Sequence, residues 1–284
     1  MPFDSHCHIQ FKAFEKDLDD VIVRCGKKNT LLNVVGTQLP TSKKAIELAE
    51  KYDNMYATIG IHPIQHDVVD VTEESDSFTS RGEQWDEDVF EKLVQHPKVI
   101  AIGETGLDKF HIRKDKTLEE VFEKQKQLFL KHYKLAKKYN KPLVIHVRDA
   151  HDEMIELLES LGENIHGTIH CFTGNWQQAE RYLALGLYLG FTGVVTFPPK
   201  KTDPQSQLDL LAVIKNMPIE KLLVETDAPY LAPQKHRGKR CEPWMVEEVV
   251  GFVADVKKMS VTEVGKITTQ NALRLFDLIE IKNF

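Results

Sequence analysis

The chain has 284 residues, 42% apolar and 28% charged, with only 12 Pro and 15 Gly, a globular composition that excludes collagen-like, disordered and disulfide-stapled classes. Its net charge of -6 is concentrated in segment 65–88, where nine acids face Arg81 alone, so the remainder is close to neutral and a polyanionic partner is not excluded. No apolar run is long enough to cross a membrane, and the start Met1-Pro2-Phe3-Asp4 has neither a basic nor an apolar leader pattern, so the expected address is the cytoplasm or the nucleus.

In chain order, short β-type runs alternate with helical patterns. The runs cover 3–8, 30–36, 55–62, 99–104, 142–147, 167–171, 187–196 and 221–226. Between the fourth and fifth, Leu118, Val121, Phe122, Leu128, Phe129, Ala136 and Tyr139 follow the helical period, and Thr117 with Glu120 forms a capping box at the start. Eight β-α units match a closed (β/α)₈ TIM barrel and use the whole length, 1–284, as a single domain. Segment 65–88, between the third strand and its helix, is longer than a usual βα loop and is expected to be a mobile acidic insertion. Cys7, Cys25, Cys171 and Cys241 form no C-x-x-C pair and suit a reducing compartment.

Metal-ligand residue types fall at strand ends. His6 and His8 alternate to one face, with Cys7 opposite. Alone, an H-x-H pair is weak evidence, since neighbouring histidines occur by chance. His62, Glu104, His146, His170, Glu225 and Asp227 join it, each closing an apolar run. In a barrel these ends meet on one rim, and a charge there is costly unless paired or metal-bound. A single strand-end histidine is more often a hydrogen-bonded structural group; the coincidence over six strands argues otherwise. His66, His96, His111, His132, His151, His166 and His236 lie in loops or helices and read as structural. The donors exceed what one ion takes, so two divalent cations are expected; N and O donors suit Zn²⁺ or Mn²⁺ and, with waters, Mg²⁺. Glu104 is placed to bridge the two.

The ordered motifs D-S-H-C-H (4–8), G-I-H-P (60–63), G-E-T-G-L-D (103–108), P-L-V-I-H-V-R-D-A (142–150), H-C-F-T-G (170–174), E-T-D-A-P-Y-L (225–231) and R-G-K-R-C-E-P (237–243) closely resemble those of the TatD-type metal-dependent deoxyribonucleases, across essentially the whole chain. The resemblance implies a (β/α)₈ barrel with His6, His8, Glu104, His146, His170 and Asp227 as metal ligands. It also implies DNA phosphodiester hydrolysis, typically from the 3′ end, supported by Mg²⁺ or Mn²⁺, with Zn²⁺ sometimes bound. Two positions depart from the pattern: Cys241 stands where Asn is usual, and no aromatic follows Asp108 directly.

The expected mechanism is attack by a metal-activated water, with Glu104 and Asp227 as catalytic carboxylates and Asp227 orienting or deprotonating the water. His62 is a candidate for contacting the scissile phosphate or moving a proton, against a simple turn-stabilising role. Glu225 is expected to hold a ligand histidine in one tautomer, against a structural ion pair. Lys109, Arg113, Lys114, Lys116, Arg148, Lys200, Lys201, Lys235, Arg237, Lys239 and Arg240 are basic residues near the rim; Arg148, Arg237 and Lys239 are the foremost candidates for binding a phosphate backbone. Phe172, Trp176, Phe197, Tyr230 and Trp244 could stack an unpaired base, although most rim aromatics serve packing. The expected substrate is DNA, preferably single-stranded, handled by a monomer with no membrane partner. The same water chemistry would also serve an amide or ester, including an aminoacyl-tRNA ester. A purely binding role would fit an incomplete donor set, and this one is complete.

Overall fold

The computed structural model describes residues 1–66, 70–73, 76–79, 82–112 and 116–278. Each β-type run contains a strand: β1 (Phe3–Cys7), β2 (Leu31–Val35) and β3 (Met55–Ile59), then a hairpin of β4 (Asp70–Glu73) and β5 (Asp76–Thr79), then β6 (Val99–Asp108), β7 (Leu143–Arg148), β8 (Gly167–Ile169), β9 (Tyr188–Phe191) and β10 (Leu222–Val224). Apart from the hairpin, the strands pair in parallel in the order β1-β2-β3-β6-β7-β8-β9-β10. The ring closes where the Asp227 N–H donates to the His6 carbonyl at 2.9 Å and the His8 N–H to the Ala228 carbonyl at 2.7 Å.

Helices α1 (Leu18–Lys27), α2 (Leu39–Lys51), α3 (Glu87–Val94), α4 (Leu118–Lys138), α5 (His151–Ser160), α6 (Trp176–Ala184), α7 (Pro204–Asn216) and α8 (Val246–Lys257) alternate with the barrel strands, giving the (β/α)₈ fold expected from the sequence. A core of strand and helix side chains fills the space between the two layers, and strands so covered read as continuous apolar runs. The capping box is present: Thr117 Oγ1 accepts from the Glu120 N–H at 3.2 Å while Glu120 Oε2 accepts from the Thr117 N–H at 3.0 Å. Among the described residues no helix is long and apolar enough to cross a membrane.

A last helix, α9 (Val261–Leu275), carries the chain under the barrel. Just beyond it, Phe276 stacks on Phe3 with centroids 5.7 Å apart, and Leu31, Tyr56, Val144 and Leu223, at or near the strand starts, complete an apolar plug. Inside the barrel the side chains become polar. Asn33 Nδ2 donates to the Ser5 carbonyl at 3.0 Å, Thr58 Oγ1 donates to Asn33 Oδ1 at 2.8 Å, and Ser5 Oγ donates to Glu225 Oε2 at 3.0 Å.

Two elements differ from expectation. Segment 65–88 contains the antiparallel hairpin, with Asp70 opposite Thr79 and Glu73 opposite Asp76, and α3 begins inside it; its residues 67–69, 74–75 and 80–81 lie outside the described residues. The seventh strand run, 187–196, splits: β9 stops at Phe191, and Gly193–Thr196 is a 3₁₀ turn whose start is capped by Thr192 Oγ1 accepting from the Val194 N–H.

His132 of α4 anchors the turn after β3. Its Nε2 accepts from the Ile61 N–H at 2.9 Å and its Nδ1 donates to the Leu128 carbonyl at 2.8 Å. Burial lowers its pKa to about 4, whereas an unfolded histidine titrates near 6.5. The stability contributed by this neutral ring is therefore complete above pH 6.5 and is lost as pH falls through 6.5 toward 4, by up to roughly 3 kcal/mol. Urea unfolding between pH 7 and 4.5 should show a shallower pH dependence for His132→Gln than for the parent; identical slopes would contradict this account.

Candidate metal centre

The C-terminal ends of six strands converge on the barrel mouth. β1 brings His6 and His8 to one face, their Nε2 atoms 3.1 Å apart. Beyond β10 the backbone is clasped by buried Asp4, whose Oδ1 accepts from the Thr226 N–H at 2.8 Å and whose Oδ2 accepts from Thr226 Oγ1 at 2.6 Å. The next residue, Asp227, is left-handed at φ 58°, so its direction is set by that turn and not by the side-to-side alternation of a strand. Its Oδ1 lies 3.3 Å from His8 Nε2 and 3.7 Å from His6 Nε2.

Glu104 was expected to end its strand; instead β6 continues to Asp108. Gly106 makes this possible, because at φ 151° a Cβ there would lie 1.9 Å from the His146 carbonyl oxygen of β7. The β6–β7 register shifts between Ile102 and Thr105, an irregularity of the kind that re-aims a side chain beside a site. Glu104 is buried, 3% exposed, and its two oxygens face different partners. Oε2 lies 3.4 Å from His6 Nε2 and 3.6 Å from His8 Nε2. Oε1 lies 2.9 Å from His146 Nδ1 and 3.0 Å from His170 Nε2, which are 3.2 Å from each other.

These separations fit bound cations. Donors about 2.0–2.1 Å from a tetrahedral ion lie roughly 3.4 Å apart, and the separations among His6, His8, Glu104 Oε2 and Asp227 run from 3.1 to 3.7 Å. Tautomers agree with this role. His8 Nδ1 donates to the Val35 carbonyl at 2.7 Å, and His146 Nε2 donates to Asp108 Oδ2 at 3.2 Å. His170 Nδ1 lies 3.5 Å from Glu225 Oε1. With cations bound, the Val35 carbonyl and Asp108 would keep the protons of His8 and His146 on the outer nitrogens and leave the inner lone pairs for an ion, whereas His170 Nδ1 has no hydrogen-bond partner among the described residues. Room for Glu225 comes from Gly190, where a Cβ would stand 2.5 Å from Glu225 Oε2. Buried His6 has no hydrogen-bond partner at Nδ1 and stacks on His170 with centroids 3.9 Å apart.

Burial opposes ionisation of Glu104, but His62, His170 and His6, with the bond from His146, outweigh it and hold the carboxyl well below the usual range. Asp227 is lowered in the same way, burial being overcome by the His8 bond and by His170 and His6. Two ionised carboxylates in a buried imidazole cluster form a site shaped for positive charge.

His62 differs from the other four. Its Nδ1 accepts from the Ile64 N–H at 3.2 Å, so Nε2 carries the proton, 3.2 Å from Glu104 Oε1. Burial lowers its pKa to about 4, which makes it a neutral donor near pH 7.

Asp108 was not singled out from the sequence. It is fully buried; Oδ2 accepts from both His146 Nε2 and His111 Nδ1, at 3.2 and 2.9 Å, while Oδ1 accepts from the N–H groups of Phe110 and His111 at 2.8 and 2.9 Å. The signal was present, since Asp108 follows Glu104 by four residues and shares its face. His111, read as structural, sits beside it, and no sequence pattern marked this.

The basic residues divide. Lys109 bonds Glu153 and Lys235 bonds Glu248. Arg240 bonds both oxygens of Asp17 and the Ala13 carbonyl, tying the post-β10 loop to the start of α1 instead of facing a ligand. Arg113 and Lys114 lie outside the described residues. Arg148 packs over the Phe110 ring at 3.9 Å and Arg237 over Phe197 at 4.3 Å, while Lys239, Lys200 and Lys201 are exposed. Among the aromatic candidates, Phe172 is core, packed on Tyr182 and Phe191, and Trp244 Nε1 donates to Glu242 at 2.6 Å.

The family model described as TatD related DNase matches residues 3–277. The chain is 39% identical over 278 residues to the uncharacterized metal-dependent hydrolase YabD of Bacillus subtilis, covering 97% of this chain and 99% of that one. It is 35% identical to the 3′-5′ ssDNA/RNA exonuclease TatD of Pectobacterium parmentieri, covering 97% and 99%. The crystal structure of YjjV, a TatD homologue from Escherichia coli K12, superposes with a TM-score of 0.78 at 28% identity, covering 97% of each chain.

Asp108→Asn keeps the side-chain shape but removes the charge behind His146. Divalent-ion affinity, measured by competition with a chromophoric chelator, should fall about 10- to 100-fold. An unchanged affinity would mean that Asp108 supports only the His111 turn.

Proposed function

The chain belongs to the TatD-related DNase family of metal-dependent hydrolases, and from that premise we propose that it is a 3′-5′ exonuclease for single-stranded DNA using two divalent cations. The observation that carries this reading is the division of Glu104: one oxygen faces His6 and His8, the other His146 and His170. The name of the Pectobacterium relative supports the substrate class. Segment 1–284 acts as one catalytic unit, in the cytoplasm and as a monomer.

His6, His8, Asp227 and Glu104 Oε2 would hold one cation, and Glu104 Oε1, His146 and His170 the other. Mg²⁺ or Mn²⁺ is the proposed working ion, with Zn²⁺ an alternative suited to the imidazole-rich set. When bound, such ions neutralise phosphoryl oxygens and lower the pKa of water from 15.7 toward about 7.

The protein's own groups supply the rest. The Asp227 oxygen not given to a cation would orient the attacking water and accept its proton, the electron pair of the water oxygen forming the new P–O bond as the bond to the leaving oxygen breaks and that oxygen takes a proton from solvent. His62, a neutral donor whose Nε2–H rests on Glu104 Oε1, is available to a phosphoryl oxygen. Glu225 and Asp108 keep His170 and His146 in the required tautomer. Arg148, Arg237 and Lys239 bind the backbone phosphates.

Metal-stripped protein incubated with end-labelled single- and double-stranded DNA and RNA should shorten single strands from the 3′ end only after Mg²⁺, Mn²⁺ or Zn²⁺ is restored. Glu104→Ala and Asp227→Ala should each slow cleavage by at least about a hundredfold, the scale of losing metal-borne charge stabilisation. Cleavage as fast as the parent by either variant would refute the site, whereas hydrolysis of amides or esters without nuclease activity would refute the substrate.

Salt gives a separate check. Three phosphate contacts on a single strand predict roughly an 18-fold loss of kcat/KM at low substrate between 50 and 200 mM NaCl. The double variant Arg237→Ala, Lys239→Ala should flatten that dependence, and a parent indifferent to salt would contradict an anionic substrate.

A further inference from the structure

Phe110 is the most exposed large apolar side chain among the described residues, at 59%. It is not a loose surface residue. Its N–H donates to Asp108 Oδ1 at 2.8 Å, and the other oxygen of that buried carboxylate accepts from His146 Nε2 at 3.2 Å. One carboxylate therefore ties the backbone that carries the ring to the metal-donor cluster. Asp108 and Arg148 are opposite one another across β6 and β7, so ring and guanidinium leave the barrel side by side.

Arg148 covers one face of the ring, its guanidinium carbon 3.9 Å from the centroid. His111 meets the ring nearly edge-on, with centroids 5.0 Å apart at 79°. The exposure of Phe110 thus belongs to the remaining face. An aromatic face held in water beside a catalytic cluster forgoes hydrophobic stabilisation, and a cation behind it favours an electron-rich or anionic partner. A nucleotide meets both demands, placing its base on the ring and its phosphate near the guanidinium. A base inside a duplex is already stacked on its neighbours, so the feature selects unpaired strands.

We propose that Phe110, backed by Arg148, is a stacking platform for the unpaired base next to the scissile phosphate. This rests on the single-stranded nuclease reading above and adds to it the residue that selects the strand.

The test uses two single-stranded DNA oligonucleotides, identical except that one is abasic at the nucleotide flanking the scissile linkage. KM and kcat are measured with each for the parent, Phe110→Ala and Phe110→Trp. The parent's KM should be about tenfold lower with the base present, a typical value for one base on an aromatic ring. Phe110→Ala should raise KM about tenfold on the base-bearing strand only, with kcat nearly unchanged, and Phe110→Trp should restore the parent value. If Phe110→Ala matches the parent on the base-bearing strand, or loses equally on both strands, the platform is refuted while the nuclease reading stands. If the parent cleaves neither strand but hydrolyses an ester, both proposals fall together.

Discussion

The structure is organised around one buried carboxylate. Glu104 sits at the barrel mouth with each oxygen against a different set of imidazole nitrogens. Taking such a group out of water is tolerable only where positive charge compensates it. Without a cation the histidines supply that compensation by sharing protons; bound cations would take over that role, with the histidine nitrogens and the carboxylate as ligands and the protons released.

Much of the lower barrel serves to aim these groups. The polar layer from Thr58 through Asn33 and Ser5 reaches Glu225, which stands behind His170. Asp4 clasps Thr226 and so fixes the turn from which Asp227 projects, at the seam where β1 meets the chain beyond β10. Asp108 does two jobs from one position, orienting His146 and anchoring the turn that displays Phe110. Precision at the rim thus comes from buried hydrogen bonds one layer down, and those bonds connect strands more than two hundred residues apart in the chain.

The fold was legible because eight short β-type runs alternate with helical patterns, and each run contains one strand of the barrel. The donor residues were legible because a polar side chain closing an apolar run is a conflict that needs resolving. What escaped had weaker local signals. Asp108 lay beyond the end of the run 99–104, because only the close approach of Gly103 and Gly106 to β7 lets β6 continue that far. Asp227 obeys a left-handed turn that no alternation rule predicts. Arg240 looked like part of a phosphate clamp, because charge density along a sequence does not reveal that Asp17 waits on the far side of a loop. The hairpin within 65–88 was masked by an acidic composition that resembles a solvated loop.

The division of Glu104 between two cations is tested most directly by anomalous scattering at the manganese edge from crystals grown with Mn²⁺. The account requires two peaks, one within bonding distance of His6 Nε2, His8 Nε2, Asp227 and Glu104 Oε2, the other of His146 Nδ1, His170 Nε2 and Glu104 Oε1, with His62 bound to neither. A single peak, or peaks that leave Glu104 outside bonding distance, would contradict it.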